Sequence, residues 1–193
     1  MAKVTIIGAT GSLGRVTTQT LLSETDFDLT LFSRSANHLP DYPRVQKVGA
    51  STSEASKLAT AIEGSQLVFV ALSGDLPKMA EQIIAAMKKV GVKRLVFICS
   101  YGIYGEIAGS TGNDGGILRP YRQAADIVEA SGLDYTILRP GWFDNGDDTD
   151  YQLIPKGEVI YGNTISRKAI AEVVKQIAEN PHLYVKQNLG IVR

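Results

Sequence analysis

The chain has 193 residues, of which 44% are hydrophobic and 21% are charged, a composition that predicts one globular domain with its own core. Its 20 basic and 20 acidic residues cancel, so no net charge favours a nucleic-acid or anionic-membrane partner. The single cysteine excludes an intrachain disulfide, and there is no apolar run long enough to span a membrane. We therefore expect a cytoplasmic protein.

Short apolar runs alternate with segments of helical spacing along the first half of the chain. Strands are predicted at residues 4–7, 29–32, 45–48, 67–72 and 95–99, and helices at residues 12–22, 54–63 and 76–90. The stretch between Arg34 and Arg44 is too short and too rich in proline for a full helix. Such alternation predicts a parallel sheet with helices on both faces and a ligand site at the carboxyl ends of the strands.

The second half of the chain opens with a glycine-rich stretch. We predict a loop over a site at residues 101–116, then a helix at 120–131 and a strand at 135–138. A polar loop to Asp150, short strands around Leu153 and Ile160, a helix at 166–179 and a strand near Ile191 complete the chain. The expected fold is a Rossmann-type, doubly wound α/β domain with a small C-terminal extension.

The first predicted strand runs into a glycine-rich turn and then a helix, the setting that the dinucleotide-binding fingerprint requires. The turn reads Gly8, Ala9, Thr10, Gly11, Ser12, Leu13 and Gly14. The first glycine permits the tight turn, the second lets backbone approach a pyrophosphate, and the third allows close packing of the helix. Thr10 and Ser12 add hydroxyl donors. The alternative is a tight turn that binds no ligand.

The second predicted strand ends in Ser33, Arg34 and Ser35, where an NAD-selective protein usually places a carboxylate. A guanidinium binds phosphate in a bidentate manner, so this end favours the 2′-phosphate of NADP(H) over NAD(H). An exposed structural arginine is the alternative. At the end of the fourth strand, Ala71, Leu72 and Ser73 are small or apolar residues where a nucleotide would pass.

Ser100 follows the fifth predicted strand and is the best polar candidate beside a nicotinamide, although a simple strand cap remains an alternative. The TGxxG turn, Arg34, Ser100 and the segment from Ser131 to Gly141 resemble the atypical short-chain dehydrogenases, and more narrowly their NmrA-like, NAD(P)H-binding branch. That branch includes flavin and biliverdin reductase-like enzymes and redox-sensing regulators. The resemblance places four residues beside the nicotinamide, namely Pro140, Gly141, Trp142 and Phe143. Trp142 and Phe143 either wall a planar substrate or pack in the core.

The sequence departs from the wider family in one respect, because it contains no Tyr-x-x-x-Lys pair. Tyr121 stands where the family lysine would fall, and Ile117 stands four residues earlier. Ser100 and Tyr121 are therefore the catalytic candidates. We predict hydride transfer from NAD(P)H to a small conjugated acceptor such as a quinone or flavin, by a monomer or homodimer. The alternative is a non-catalytic redox sensor that signals through a partner protein; a sugar-nucleotide epimerase would need a larger substrate domain.

The remaining residues that could bind a metal ion, namely acidic residues, histidines and the cysteine, are not expected to form a metal site. Asp144, Asp147, Asp148 and Asp150 lack the glycine and terminal glutamate of a calcium loop and are expected to form a solvated loop. His38 and His182 have no partner at ligand spacing. Cys99, inside an apolar run, is expected to be an inert small hydrophobe.

Overall fold

A parallel β-sheet forms the centre of the computed structural model, which describes residues 1–111 and 116–193. Its strands are β1 (Lys3–Ile7), β2 (Asp28–Ser33), β3 (Val45–Gly49), β4 (Leu67–Val70), β5 (Arg94–Ile98), β6 (Asp134–Pro140), β8 (Gln152–Pro155) and β10 (Gln187–Val192). They are ordered β3-β2-β1-β4-β5-β6-β10-β8, and in the described residues β8 is the one antiparallel strand. A separate pair consists of β7 (Trp142–Asp144) and β9 (Thr164–Ser166).

Helices cover both faces of this sheet. They are α1 (Ser12–Glu24), α2 (Ala55–Ile62), α3 (Leu76–Val90), α4 (Arg119–Glu129) and α5 (Arg167–Glu179). Helices α1 and α5 pack together on one face, where Leu21 and Val173 are fully buried. Helices α2, α3 and α4 cover the other face around Leu58, Ile83 and Val128. The predicted Rossmann-type α/β fold class is confirmed.

The strand order determines where a ligand can bind. The chain proceeds outward from β1 through β2 to β3, then returns to β4 on the other side of β1. At such a reversal the connections leave the sheet in opposite directions and open a crevice at the carboxyl ends of the strands. The glycine-rich turn after β1 therefore lies at the mouth of this crevice.

The region after β6 differs from the prediction. The prediction of a strand around Ile160 is wrong, because Ile160 makes only an isolated bridge with Ile107 in the described residues. Its side chain is fully buried. Pairing occurs instead between β7 and β9, and β7 falls in a stretch expected to be a polar loop. Strands of three residues are too short to carry a periodic pattern, so sequence reasoning cannot detect them.

The structure contains the other strands that the sequence predicts after β6, and it has no full helix between Arg34 and Arg44. The strand around Leu153 is β8, the last strand is β10, and the stretch after Arg34 contains a single 3₁₀ turn at Ala36–His38. Residues 112–115 of the predicted glycine-rich loop lie outside the described residues. Within residues 1–111 and 116–193, the helices are too short or too polar to cross a membrane. The cytoplasmic location stays a prediction.

Candidate functional site

Two glycines of the turn after β1 are required by the fold itself. Gly8 has φ +92°, and a Cβ there would lie 2.0 Å from the Ala71 carbonyl oxygen. Gly14 lies in α1, and a Cβ there would lie 2.2 Å from the Gly8 carbonyl oxygen. Because these two residues have no side chain, the turn packs directly against the end of β4 and α1 packs directly against the turn.

Gly11 has a different role. It is the N-cap of α1 with extended backbone (φ −70°, ψ 165°), and a Cβ there would lie 3.3 Å from the Gly8 carbonyl oxygen. Among the described residues no side chain caps this helix, so the first amides of α1 are available to an anion. Leu13 is 4% exposed and packs in the core, so it can offer a ligand only its backbone amide.

A cavity of about 620 Å³ opens at the carboxyl ends of β1 to β4. It is lined by eight residues predicted for cofactor binding, namely Gly8, Thr10, Gly11, Ser33, Arg34, Ala71, Leu72 and Ser73. Sequence reasoning missed two further groups, Ser51, Thr52 and Ser53 after β3, and Asp75, Lys78, Met79 and Gln82 at the start of α3. The serine-rich segment after β3 could have been found from the sequence, since it follows a strand in the same way as Arg34 and Ser35 follow β2.

The end of β2 presents polar groups to this cavity. The Arg34 side chain is exposed, and the Ser35 hydroxyl donates to the Thr10 hydroxyl at 3.3 Å. Ser33 Oγ is buried and has no hydrogen-bond partner among the described residues. A buried hydroxyl without a hydrogen-bond partner is uncommon in folded proteins. The Ser33 hydroxyl is therefore a candidate hydrogen-bond partner for a bound ligand.

The ends of β5 and β6 meet beyond this cavity. The Tyr101 amide donates to the Pro140 carbonyl at 3.1 Å, so Ser100, just past the end of β5, lies beside the end of β6. The Ser100 hydroxyl donates to the Tyr101 carbonyl at 3.1 Å. The start of α4 is close by, since Cys99 Sγ donates to the Tyr121 carbonyl at 3.7 Å. Burial raises the pKa of the Cys99 thiol, in line with the predicted inert role. The roles of Ser100 and Tyr121 stay predictions.

The two aromatic residues after Gly141 lie at the surface. Trp142 is 69% exposed and Phe143 is 38% exposed, so packing in the core is excluded as their role. A Cβ on Gly141 would lie 2.5 Å from the Asn163 carbonyl oxygen, and the Trp142 amide donates to that oxygen at 2.9 Å. The strand pair β7–β9 therefore holds both rings at the carboxyl edge of the sheet.

A tyrosine and a lysine that are distant in sequence lie together in space. The Lys156 amine is 4.7 Å from the centre of the Tyr104 ring, and Asn188 donates to the Tyr104 hydroxyl at 2.8 Å. Burial and the negative charge of Glu129 raise the pKa of Tyr104 despite the nearby lysine. A raised pKa makes the Tyr104 hydroxyl a weaker proton donor than the tyrosine of a Tyr-x-x-x-Lys relay.

A buried ion pair holds the loop after β5. Arg139 of β6 is 0% exposed and its guanidinium donates to the carboxylate of Glu106, which is also buried. Arg139 Nε also donates to Asn188 Oδ1 at 2.8 Å. The Glu106 carboxylate also accepts hydrogen bonds from the backbone amides of Gly102 at 3.0 Å and Tyr104 at 2.9 Å. One buried charge pair therefore fixes the backbone that leads away from Ser100.

Two acidic residues, one at the end of β7 and one after it, lie beside Arg193. Arg193 pairs with Asp144 at 2.8 Å and approaches Asp148 at 3.6 Å. In residues 1–111 and 116–193, no group of three or more histidine, cysteine or acidic side chains is arranged to hold a metal ion. Asp144 and Asp148 thus neutralise a cation of the chain itself.

Comparison with known proteins is consistent with a dinucleotide site. Residues 8–181 match the family described as NAD(P)H-binding. A Rossmann-fold NAD(P)-binding family protein from Shigella flexneri is 36% identical, with a TM-score of 0.87 over 100% of this chain and 94% of that one. A short-chain dehydrogenase/reductase from Veillonella parvula, solved in complex with NADP, is 26% identical with a TM-score of 0.90 over the same shares.

Among curated proteins, an uncharacterised chloroplastic protein of Arabidopsis thaliana is 27% identical over an alignment that covers 89% of this chain and 70% of that protein. The resemblance to atypical short-chain dehydrogenases is confirmed. The family match includes the turn after β1, the residues that line the cavity from Gly8 onward and the whole of α5. The chain belongs to the NAD(P)H-binding family of Rossmann-fold proteins.

Proposed function

We propose that this protein is an NADPH-dependent oxidoreductase that reduces a small conjugated acceptor such as a quinone or a flavin. The observation that carries the proposal is the cavity at the glycine-rich turn, where the end of β2 supplies Arg34 and hydroxyls instead of a carboxylate. NADPH supplies a hydride when bound. The protein has to bind the cofactor, orient it and hold an acceptor against it.

The residues of the cavity fit this cofactor in size and chemistry. The amides at the start of α1 and the open backbone at Gly11 suit a diphosphate, since they present positive partial charge without a side chain. Ser33 Oγ offers a hydrogen bond that no described residue uses. The exposed guanidinium of Arg34 suits a 2′-phosphate, which an unphosphorylated ribose lacks.

Replacing Arg34 with alanine should weaken NADPH binding by about 1 to 3 kcal/mol, the scale of a charge-assisted hydrogen bond, and should barely change NADH binding. Titration calorimetry with both cofactors measures the two affinities. Lys89→Ala is a matched control, because it removes an exposed cation at the far end of α3. Equal losses for NADPH and NADH would disprove the 2′-phosphate assignment.

The chemistry near the ends of β5 and β6 supports a conjugated acceptor. Reduction of a simple carbonyl is helped by a proton donor, and the raised pKa of Tyr104 beside Lys156 makes its hydroxyl a weak one. A conjugated acceptor spreads the incoming charge and depends more on stacking and distance than on an acid. The exposed ring of Trp142 offers such an acceptor a flat apolar surface.

Oxidation of NADPH should therefore be measured against a panel of quinones, flavins and simple aldehydes. We expect turnover with quinones or flavins and little with aldehydes. Ser100→Ala and Tyr121→Phe should each lower kcat by about tenfold or less, whereas loss of an essential general acid costs roughly 10²- to 10⁴-fold.

Two outcomes would contradict this proposal. A thousandfold loss in Tyr121→Phe with unchanged cofactor affinity, on the order of the loss of a general acid, would make Tyr121 the proton donor. Tight NADPH binding without turnover of any acceptor would instead support the non-catalytic redox sensor.

A further inference from the structure

Arg167, the first residue of α5, lies beside the first turn of α1. Its Nε donates to Ser12 Oγ at 3.0 Å and its Nη1 donates to Asn145 Oδ1 at 2.9 Å. Its guanidinium carbon is 5.0 Å from the centre of the Phe143 ring. The cation therefore lies between the glycine-rich turn and the segment that follows β6, although the two are far apart in sequence.

Arg167 has an acidic neighbour, Asp144, whose pKa is lowered by the Gly146 amide, by Arg193 and, least, by the charge of Arg167. The first turns of α1 and α5 contain no acidic residue, and Arg167 forms no ion pair within residues 1–111 and 116–193. The neighbouring carboxylate of Asp144 is held by the Gly146 amide at 2.8 Å and by Arg193 at 2.8 Å. A guanidinium beside the positive end of α1 is unfavourable by itself, and an anion bound between them would relieve the repulsion.

The hydrogen bond from Arg167 to Ser12 also orients the Ser12 hydroxyl as a donor to a ligand. A serine hydroxyl has one hydrogen and two acceptor lone pairs. Because Ser12 Oγ accepts from Arg167, its own hydrogen is directed away from the guanidinium. Ser12 and Arg167 can thus both donate to one anion at the start of α1.

We propose that Arg167, with Ser12, binds the diphosphate of the cofactor on its nicotinamide side. This assignment rests on the cofactor binding proposed above. The adenosine half is expected in the cavity that Thr10, Gly11 and Arg34 line, and neither Ser12 nor Arg167 lines that cavity. A dinucleotide that left the cavity across Gly11 toward Phe143 would pass Arg167, which contacts both Ser12 and the Phe143 ring. Arg167 is a cofactor-binding residue that fixes how the nicotinamide half is placed.

The test compares two ligands, NADPH and 2′,5′-ADP, which ends at the phosphate attached to its own ribose. In Arg167→Ala we expect the Kd of NADPH to rise by about tenfold to a hundredfold, as for loss of a hydrogen bond to a charged group. The Kd of 2′,5′-ADP should change by less than about threefold, within the effect of a screened surface charge. Arg167→Lys should recover only part of the NADPH affinity, because an ammonium lacks the planar fork.

Lys168→Ala is the matched control, since it removes an exposed cation from the next position of α5 and should leave both affinities unchanged. An unchanged NADPH affinity in Arg167→Ala, with only a lower Tm, would show that Arg167 merely ties α5 to α1. Equal losses for both ligands would also overturn the assignment, because the contact would then be on the adenosine side. Failure of the unmodified protein to bind NADPH would refute the cofactor proposal itself.

Discussion

Replacement of Gly11 with valine is expected to abolish NADPH binding while the protein stays folded. The backbone at Gly11 is extended and accepts any residue, so a valine can take the place without strain in φ and ψ. Its methyl groups would occupy the space above the first amides of α1, where we place the diphosphate. The Kd should rise by at least about a hundredfold, or roughly 2.7 kcal/mol. Titration calorimetry measures the loss, and circular dichroism reports the fold.

Two neighbouring variants make this result specific. Gly11→Ala adds one methyl group, 3.3 Å from the Gly8 carbonyl oxygen, and should give an intermediate Kd. Gly14→Ala should instead lower the Tm, because its Cβ would overlap the Gly8 carbonyl oxygen at 2.2 Å. If folded Gly11→Val binds NADPH as tightly as the unmodified protein does, the motif is only a turn.

Glu106→Gln should destabilise the protein strongly. The variant keeps the shape of the side chain but leaves Arg139, which is 0% exposed, as a buried cation without a counter-charge. Removal of one partner from a buried ion pair costs about 3 to 5 kcal/mol. For a domain of this size the Tm should fall by roughly 6 to 20 °C, which a calorimetric melt measures.

A surface pair and a double variant serve as controls. Asp126→Asn removes an exposed carboxylate that pairs with Arg122 at 3.3 Å, and it should cost less than about 1 kcal/mol. Glu106→Gln combined with Arg139→Met should be more stable than Glu106→Gln alone, because the buried cation is gone. A melt of Glu106→Gln that matches that of Asp126→Asn would contradict the role given to this pair.

Much of the fold was predictable because its signals are local. Buried parallel strands appear as short apolar runs, and the turn Gly8 to Gly14 between a strand and a helix marks the crevice of an α/β sheet. The positive φ of Gly8 and the crowding at Gly14 are the physical reasons why these positions are glycine. The short pair β7–β9 was missed because three residues cannot display a period of two.

Candidate site residues were predictable where they lie at the end of a strand or within a few residues after it. Ser33, Arg34 and Ser73 were found in this way, and all three line the cavity. Lys78 and Gln82 were missed because they belong to a helix whose pattern describes only its buried face. The sequence left two positions open for Trp142 and Phe143, beside a planar substrate or in the core. Their exposure shows that they lie at the surface.

Four features come from the sequence alone: the alternation of strands and helices, the glycine-rich turn, the cation after β2 and the absence of a Tyr-x-x-x-Lys pair. Each depends on residues close together in the chain, where spacing and backbone conformation carry the information. The pairing of Glu106 with Arg139 and the approach of Arg167 to Ser12 depend on the folded structure. The partners are separated by 33 and 155 positions, and packing of the sheet and helices brings them together. Local spacing carries no information about contacts over such distances.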